Sequence, residues 1–202
     1  MPLWLAAEPL LLASKSKVRR ALLAAAGIPV EVCAADLDER AIEAGAASSE
    51  PTAIAALLAR EKALAVGRNH AGRLVLGADQ VLALDGTRFA TPPDRAAAMA
   101  QLRALSGRAH ALHSAVTCVQ NGVVIFEHVS VARLTMRTLS DQFLDVYLDA
   151  AGSAATESVG AYQLEGLGSH LFERVEGDYF AILGLPLLEV LQFFRRRGWL
   201  LA

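Results

Sequence analysis

Hydroxyl and basic side chains are concentrated in one short segment near the start of the chain. Ser14 and Ser16 follow an apolar run and precede a predicted helix whose first turns contain Arg19 and further basic residues. A strand followed by a helix leaves free backbone N–H groups and the positive end of a helix dipole at one point. The segment therefore predicts a binding site for an anion, most naturally a polyphosphate. The alternative is a serine N-cap beside a solvated basic helix face.

Acidic side chains follow two predicted strands. Asp36, Asp38 and Glu39 come just after the second predicted strand, and Asp79 ends a strand-like apolar run. Carboxylates at strand ends suit a hard cation such as Mg²⁺, and open α/β sheets place their sites there. Burying an aspartate is unfavourable unless a cation or hydrogen bonds compensate it, so Asp79 is the best single candidate for a metal ligand or general base. The alternatives are a soluble acidic loop and a turn-capping role for Asp79.

Other chemistries lack support in the sequence. It contains no H-E-x-x-H, C-x-x-C, G-x-S-x-G or G-x-x-x-x-G-K-[ST], so zinc sites, acyl-transfer triads and P-loops are not predicted. The histidines are expected to be surface or half-buried residues, and the cysteines inert buried thiols: His110, His113, His128 and His170; Cys33 and Cys118.

Apolar periodicity and turn residues predict the elements that must position these groups. Strands are predicted at 10–13, 28–32, 74–80 with its continuation 81–84, in a hairpin over 109–136, and at 171–172 and 179–183. The predicted hairpin turns are Asp85-Gly86 and Asn121-Gly122. Helices are predicted at 18–26, 51–66, 92–105, 140–148 and 186–197. This order predicts an α/β fold with a mixed sheet in a single domain spanning 1–202.

The composition excludes several classes of protein. Of 202 residues, 54% are hydrophobic and 20% charged, with a formal net charge of -2. This excludes intrinsic disorder, and the small net charge provides no field that would recruit nucleic acid. No run approaches the ~18 uncharged apolar residues of a membrane span. The apolar start has no basic region and is interrupted by Glu8 and Pro9, so we expect a cytoplasmic protein without a secretory signal.

Six segments form an ordered set across nearly the whole chain. They are LLLASKSKVRRALLAAAGIPVEV from Leu10, DLDER from Asp36, AREKA from Ala59, LGADQV from Leu76, LRALSGRAHAL from Leu102 and VGAYQLEGLGSHLFERVEGDYFAILGLPL from Val159. Each segment is a weak signal alone, but the set is specific. With these segments the chain resembles the Maf family of nucleoside triphosphate pyrophosphatases, named for inhibition of septum formation.

The resemblance implies an elongated, twisted mixed β-sheet flanked by helices, with a nucleotide cleft between two lobes. It also implies hydrolysis between the α- and β-phosphates with Mg²⁺ or Mn²⁺, in a family whose members are often homodimers. Matched motif to motif, Ser14 and Arg19 would hold the triphosphate. Glu39 and Asp79 would hold the metal and prepare the attacking water, and Lys62 would neutralise phosphate charge.

Two positions bear on the base that the resemblance implies. Glu165 stands where the members that cleave dTTP and UTP carry glutamine, and Gln80 follows Asp79. This combination looks more like the branch that acts on 7-methyl-GTP, which implies removal of non-standard nucleotides. A carboxylate accepts hydrogen bonds from guanine N1–H and N–H₂ groups. Hydrolysis of dTTP and UTP is the alternative.

Other positions depart from the family pattern. Val18 stands where many members have arginine, and Thr91 replaces a cleft lysine that is usually followed by proline. Losing one cation from such a site costs roughly 10²–10³ in rate. The nearest basic residues that would substitute are Arg88 and Arg95. The departures leave open a catalytically weak nucleotide-binding regulator linked to cell division.

Overall fold

A seven-stranded mixed sheet lies at the centre of residues 2–202, which a computed structural model describes. Its strands are β1 (Leu10–Leu12), β2 (Val30–Val32), β3 (Leu74–Leu84), β4 (Thr87–Phe89), β5 (Ala109–Gln120), β6 (Val123–Met136) and β7 (Phe172–Glu176). The order is β2-β1-β3-β5-β6-β7, and β4 pairs with β3. β1 runs parallel to β2 and β3, whereas all the other pairs are antiparallel. The predicted mixed α/β sheet is confirmed.

Helices flank this sheet. They are α1 (Lys17–Ala25), α2 (Glu39–Ala44), α3 (Pro51–Gly67), α4 (Arg95–Leu105), α5 (Asp141–Ala151), α6 (Tyr179–Ile182) and α7 (Leu187–Arg196). Short 3₁₀ turns occupy Gly152–Thr156, Val159–Ala161 and Leu167–Leu171. The five predicted helices are confirmed, although Pro186 is the residue before α7 and not its first helical residue. None of the helices within 2–202 has the length and apolarity needed to cross a membrane.

Both predicted hairpin turns are confirmed. Asp85 and Gly86 have φ angles of 49° and 79°, and Asn121 and Gly122 have 52° and 73°. Positive φ at both central residues is the requirement of a type I′ turn, which asparagine, aspartate and glycine meet most easily. These turns join β3 to β4 and β5 to β6.

The strand predicted at 179–183 is wrong, because this segment forms α6. The Asp178 carboxylate accepts hydrogen bonds from the backbone N–H groups of Phe180 and Ala181 and so caps a single helical turn. α2 was not predicted at all. It begins with a similar local cap, in which Asp38 accepts from the N–H of Ala41. Both helices are too short to show apolar periodicity.

A gap in strand pairing divides the sheet near its middle. On one edge of β3, β1 pairs at Val75 and Leu76, and β4 pairs from Leu82 to Leu84. The intervening residues 77–81 have no strand neighbour on that edge within the described chain. One hydrophobic cluster packs around β1, α1 and α7, and another around α4 and α5. The gap therefore opens between two separately packed halves of the molecule.

Asp79 lies in the middle of β3 and not at a strand end. The prediction of a strand end is corrected because β3 continues without interruption to Leu84. The strand that does end is its neighbour β1, which stops at Leu12. Asp79 consequently lies beside the gap, on the part of β3 that has no strand neighbour on that edge within the described chain.

Candidate active site

The gap opens into a cleft of about 930 Å³. Its walls come from the start of α1, the segment 34–43 that includes most of α2, α3, the middle of β3, β4, and the segments 157–165 and 182–184. All eight of the predicted site residues line it: Ser14, Ser16, Arg19, Glu39, Lys62, Asp79, Gln80 and Glu165. Residues far apart in the chain therefore meet in one groove.

A lysine joins the two predicted metal-binding carboxylates. The Lys62 Nζ donates to Asp79 Oδ1 at 2.6 Å and lies 3.0 Å from Glu39 Oε1. The side chains of Lys62 and Asp79 are only 13% and 10% exposed, whereas that of Glu39 is 47% exposed. α3 supplies the lysine, β3 the aspartate and α2 the glutamate. One ammonium therefore holds together two carboxylates that three separate elements bring into the cleft.

Burial raises the pKa of the Asp79 carboxyl above its ordinary value. The charges of Lys62 and Arg19 oppose that rise, and the nearby Glu39 adds to it. A raised pKa makes a carboxylate a better proton acceptor than an ordinary aspartate. Asp79 is therefore a candidate proton acceptor by its burial and by the direction of this shift.

Arg19 is anchored by protein acceptors on two of its nitrogens. Its Nε donates to the Gly184 carbonyl at 2.8 Å, and its Nη1 donates to Ser14 Oγ at 3.0 Å and to the Ala78 carbonyl at 2.9 Å. Burial lowers its pKa, which Asp79 and Glu39 partly offset, yet a guanidinium remains charged in proteins. Its Nη2 has no hydrogen-bond partner within 2–202, and Arg19 lines the cleft.

Ser14 and Ser16 have structural roles as well as cleft positions. Ser16 Oγ caps α1 by accepting from the Arg19 N–H at 3.3 Å, which matches the N-cap alternative. Ser14 is buried, and its hydroxyl oxygen accepts hydrogen bonds from the Arg19 guanidinium and from the Ser16 N–H. The start of α1 is therefore preorganised around Arg19.

Gln80 faces the cleft with its amide nitrogen already engaged. Its Nε2 donates toward Ser114 Oγ at 2.8 Å and toward the Ala181 and Ile182 carbonyls at 3.1 and 3.0 Å. This ties β3 to α6 and leaves only the amide oxygen without a partner in the described structure. The substrate contact predicted for Gln80 is therefore one in which its amide oxygen accepts a hydrogen bond.

The far wall of the cleft is built on a buried tyrosine. Tyr162 lines the cleft, and its hydroxyl lies 2.8 Å from His110 Nε2. His110 was predicted to be a surface or half-buried residue, but only 3% of it is exposed. That prediction was wrong because the 3₁₀ segment that carries Tyr162 covers this end of β5. Exposed Glu165 follows Tyr162 along the same wall.

His110 is expected to make stability depend on pH. Burial lowers its pKa to about 4, so between that value and 6.5 the unfolded chain binds a proton that the folded chain does not. Folding is therefore destabilised as the pH falls through this window, by about 3 kcal/mol at its lower end. Urea unfolding from pH 7 to pH 4 should show that His110→Phe loses this part of the pH dependence. Tyr162→Phe, which keeps the buried imidazole, should retain it, and equal slopes for wild type and His110→Phe would contradict the argument.

The basic residues near Thr91 differ in position. Thr91 is exposed and lines the cleft, as does the half-buried Arg88. Arg95 is bound instead to Asp145 and Asp149 of α5, on an exposed surface outside the cleft. Of the two arginines considered as substitutes for a lysine at 91, only Arg88 is in the cleft.

The oxygen donors of the cleft suit a divalent cation that the protein holds through few of its own ligands. No three histidine, cysteine, aspartate or glutamate side chains within 2–202 are grouped to enclose a metal. Glu39 and Asp79 offer two hard carboxylate donors. Mg²⁺ is commonly held by one or two carboxylates with water and substrate phosphate completing its coordination. The site therefore suits an ion that is bound together with a phosphate ligand.

Comparison with known proteins agrees with this picture. Residues 9–197 match the family model described as Maf-like protein. The chain is 58% identical over 195 residues to the nucleoside triphosphate pyrophosphatase of Bradyrhizobium diazoefficiens, covering 96% of each chain. It is 55% identical over 200 residues to the protein of that name from Rhodopseudomonas palustris, covering 99% of each. The chain is also 18% identical to a solved nucleoside-triphosphatase (dITP/XTP pyrophosphatase) from Mycobacterium abscessus, over 95% of each chain and with a TM-score of 0.40.

Proposed function

The chain belongs to the Maf family, and from that membership we propose that it hydrolyses nucleoside triphosphates to nucleoside monophosphates and pyrophosphate. The observation that carries the proposal is the Lys62 ammonium bound to Asp79 and Glu39 inside a single cleft. Phosphoryl transfer needs little covalent help and much charge stabilisation, so a cleft with both carboxylates and cations suits it. The names of the relatives support the same reaction.

Asp79, Lys62 and Arg19 each have a separate role in the proposed reaction. Asp79 accepts the proton of a water molecule as its oxygen bonds to the α-phosphorus. The bond from the α-phosphorus to the oxygen that bridges to the β-phosphorus breaks, and pyrophosphate leaves with the electron pair. Lys62 and Arg19 stabilise the negative charge that develops on the phosphate oxygens.

We propose Mg²⁺ or Mn²⁺ as the cofactor, with Glu39 and Asp79 as its protein ligands. When bound, such a cation neutralises charge on the phosphate chain. Oxygen donors favour these ions over softer ones. Support comes from the pairing of both carboxylates with one positive charge, the Lys62 ammonium.

For the base, we propose a guanine nucleotide such as 7-methyl-GTP. Glu157 and Glu165 both line the far wall of the cleft near Tyr162. Carboxylates accept hydrogen bonds from the donors of guanine and favour a cationic, methylated ring. Glu165→Gln should raise the KM for the guanine substrate about tenfold, because a charge-assisted hydrogen bond becomes a neutral one. If dTTP or UTP is the true substrate, this change should leave its KM nearly unaltered.

A nucleotide panel tests the proposed reaction directly. Purified protein is incubated with GTP, 7-methyl-GTP, dTTP, UTP and ATP in the presence of Mg²⁺ or Mn²⁺, and pyrophosphate is measured. Release of pyrophosphate with a nucleoside monophosphate supports the proposal, and the order of rates assigns the base. Absence of release from every nucleotide would refute it, and tight nucleotide binding without release would identify a regulator instead.

A further inference from the structure

We propose that Arg88 binds the phosphate chain of the substrate and that Glu43 positions its guanidinium for this contact. The proposal rests on the proposed function for the identity of the substrate. Arg88 lines the cleft beside Thr91, which has no charge to offer. Its Nη1 lies 2.7 Å from Glu43 Oε2, and its other nitrogens have no partner within 2–202.

Strand pairing places Arg88 on the same face of the sheet as Asp79. Arg88 lies directly opposite Ala83 in the antiparallel pair of β3 and β4, and opposed residues project to the same face. Ala83 and Asp79 are four residues apart on one strand, so they also share a face. The guanidinium and the buried carboxylate therefore project to the same side.

α2 links Arg88 to the lysine. Glu39 and Glu43 are four residues apart in this helix and lie on one of its faces, about 5–6 Å apart at their Cβ atoms. Glu39 contacts Lys62, and Glu43 contacts Arg88. Two neighbouring side chains of one helix face therefore contact the two cations, and both cations line the same cleft.

The charges around Arg88 support a ligand and not only an ion pair. The side chains of Arg88 and Glu43 are 30% and 33% exposed, so the ion pair is accessible to a ligand in the cleft. The cations lining the cleft are distributed unevenly: Lys15, Lys17 and Arg19 on the α1 side, Lys62 on α3, and Arg88 on β4. The segment 157–165 contributes Glu157 and Glu165 to the lining and no cation. Arg88 is therefore the cation that β4 adds to those supplied by α3 and the α1 side.

α2 is held in place partly by these contacts. It has no buried residue, and Ile42 is its contact with the cluster packed on α3. A phosphate that binds Arg88 competes with Glu43 for the same guanidinium. Glu43 thus keeps Arg88 extended into the cleft. A phosphate ligand, which carries more charge than one carboxylate, then replaces Glu43 as the partner of Arg88.

Calorimetric binding of inorganic tripolyphosphate tests the proposal without turnover or a base. Arg88→Gln should weaken binding at least tenfold, and Arg88→Lys should weaken it less. Arg95→Gln is the matched control outside the cleft and should bind as wild type does. Introducing Thr91→Lys into Arg88→Gln should restore most of the affinity by supplying a cation from the neighbouring position.

Glu43→Gln distinguishes phosphate binding by Arg88 from an Arg88–Glu43 ion pair that only stabilises the fold. If Arg88 binds phosphate, removing its competitor should keep or tighten tripolyphosphate binding. An equal loss in Glu43→Gln and Arg88→Gln, or an Arg88→Gln affinity within twofold of wild type, would overturn the proposal. Thermal melting of each variant verifies folding, and Arg88→Lys retains the ion pair if Arg88→Gln does not fold. A wild-type protein that releases no pyrophosphate in the nucleotide panel refutes the proposed function, whereas active wild type with unchanged Arg88 variants refutes this inference alone.

Discussion

Replacing Asp79 by asparagine is expected to lower kcat about 10³-fold while leaving the folded protein equally or more stable. The rate falls because the amide cannot accept the proton of the attacking water, a contribution typically of 10²–10⁴. Stability does not fall, because burial raises the Asp79 pKa and the ionised carboxylate is therefore unfavourable in the fold at neutral pH. Lys62 keeps Glu39 as a partner in the variant. Pyrophosphate release and thermal melting measure the two effects.

The control for this variant is Asp85→Asn. Asp85 lies in the β3–β4 turn with 75% of its side chain exposed, and asparagine suits the same positive φ. Its activity and melting temperature should match those of wild type. An Asp79→Asn enzyme with more than a tenth of wild-type activity would contradict the assignment of Asp79 as proton acceptor.

Replacing Lys62 by methionine is expected to lower activity by roughly 10²–10³ and stability by about 3 kcal/mol. The activity falls because a cation facing the phosphate chain is lost. The stability falls because the mostly buried Asp79 carboxylate loses the partner that holds its charge. The two variants are expected to differ in stability because Asp79→Asn removes the buried carboxylate charge, whereas Lys62→Met leaves that charge without its hydrogen-bonded cation. Urea unfolding at pH 7 measures the difference.

Mg²⁺ provides a second measurement on Lys62→Met. If Glu39 and Asp79 hold a divalent cation, added Mg²⁺ should raise the melting temperature of Lys62→Met more than that of wild type, because the cation replaces the missing charge. The double variant Lys62→Met/Asp79→Asn should lose this response. Arg60→Met is the matched control on α3, since its partner Glu127 is outside the cleft. Equal responses to Mg²⁺ in Lys62→Met and in the double variant would refute the metal assignment.

The residues that form the site could be predicted from the sequence, but the contacts between them could not. The residue types of Ser14, Arg19, Glu39 and Asp79 predicted phosphate and cation chemistry, and all four line the cleft. No local pattern predicted that Lys62 would join Asp79 to Glu39, because that contact depends on how α2 and α3 pack against β3. The resemblance supplied Lys62 as a charge neutraliser, and the structure adds its two partners.

Two departures show where local signals were insufficient. His110 was expected to be a surface or half-buried residue, and strand alternation alone does not reveal that the segment around Tyr162 covers it. The α6 segment has strand-like residues, but Asp178 gives its first N–H groups a better partner than any neighbouring strand. A capping aspartate before Phe180 was the available signal. For His110 a contact between residues distant in the chain overrides the pattern of apolar residues. For α6 a local cap does so.

The sequence by itself determined the mixed sheet, the five longer helices, both type I′ turns and the family, because periodicity, turn chemistry and ordered motifs are local properties of the chain. Only the tertiary structure decided where the cleft opens: β1 stops at Leu12 and β4 begins its pairing at Leu82, leaving the edge of β3 free at Asp79. It also decided that Arg88 faces the cleft and Arg95 does not. Strand register and helix packing set these positions, and both arise from contacts between residues that are distant in the chain.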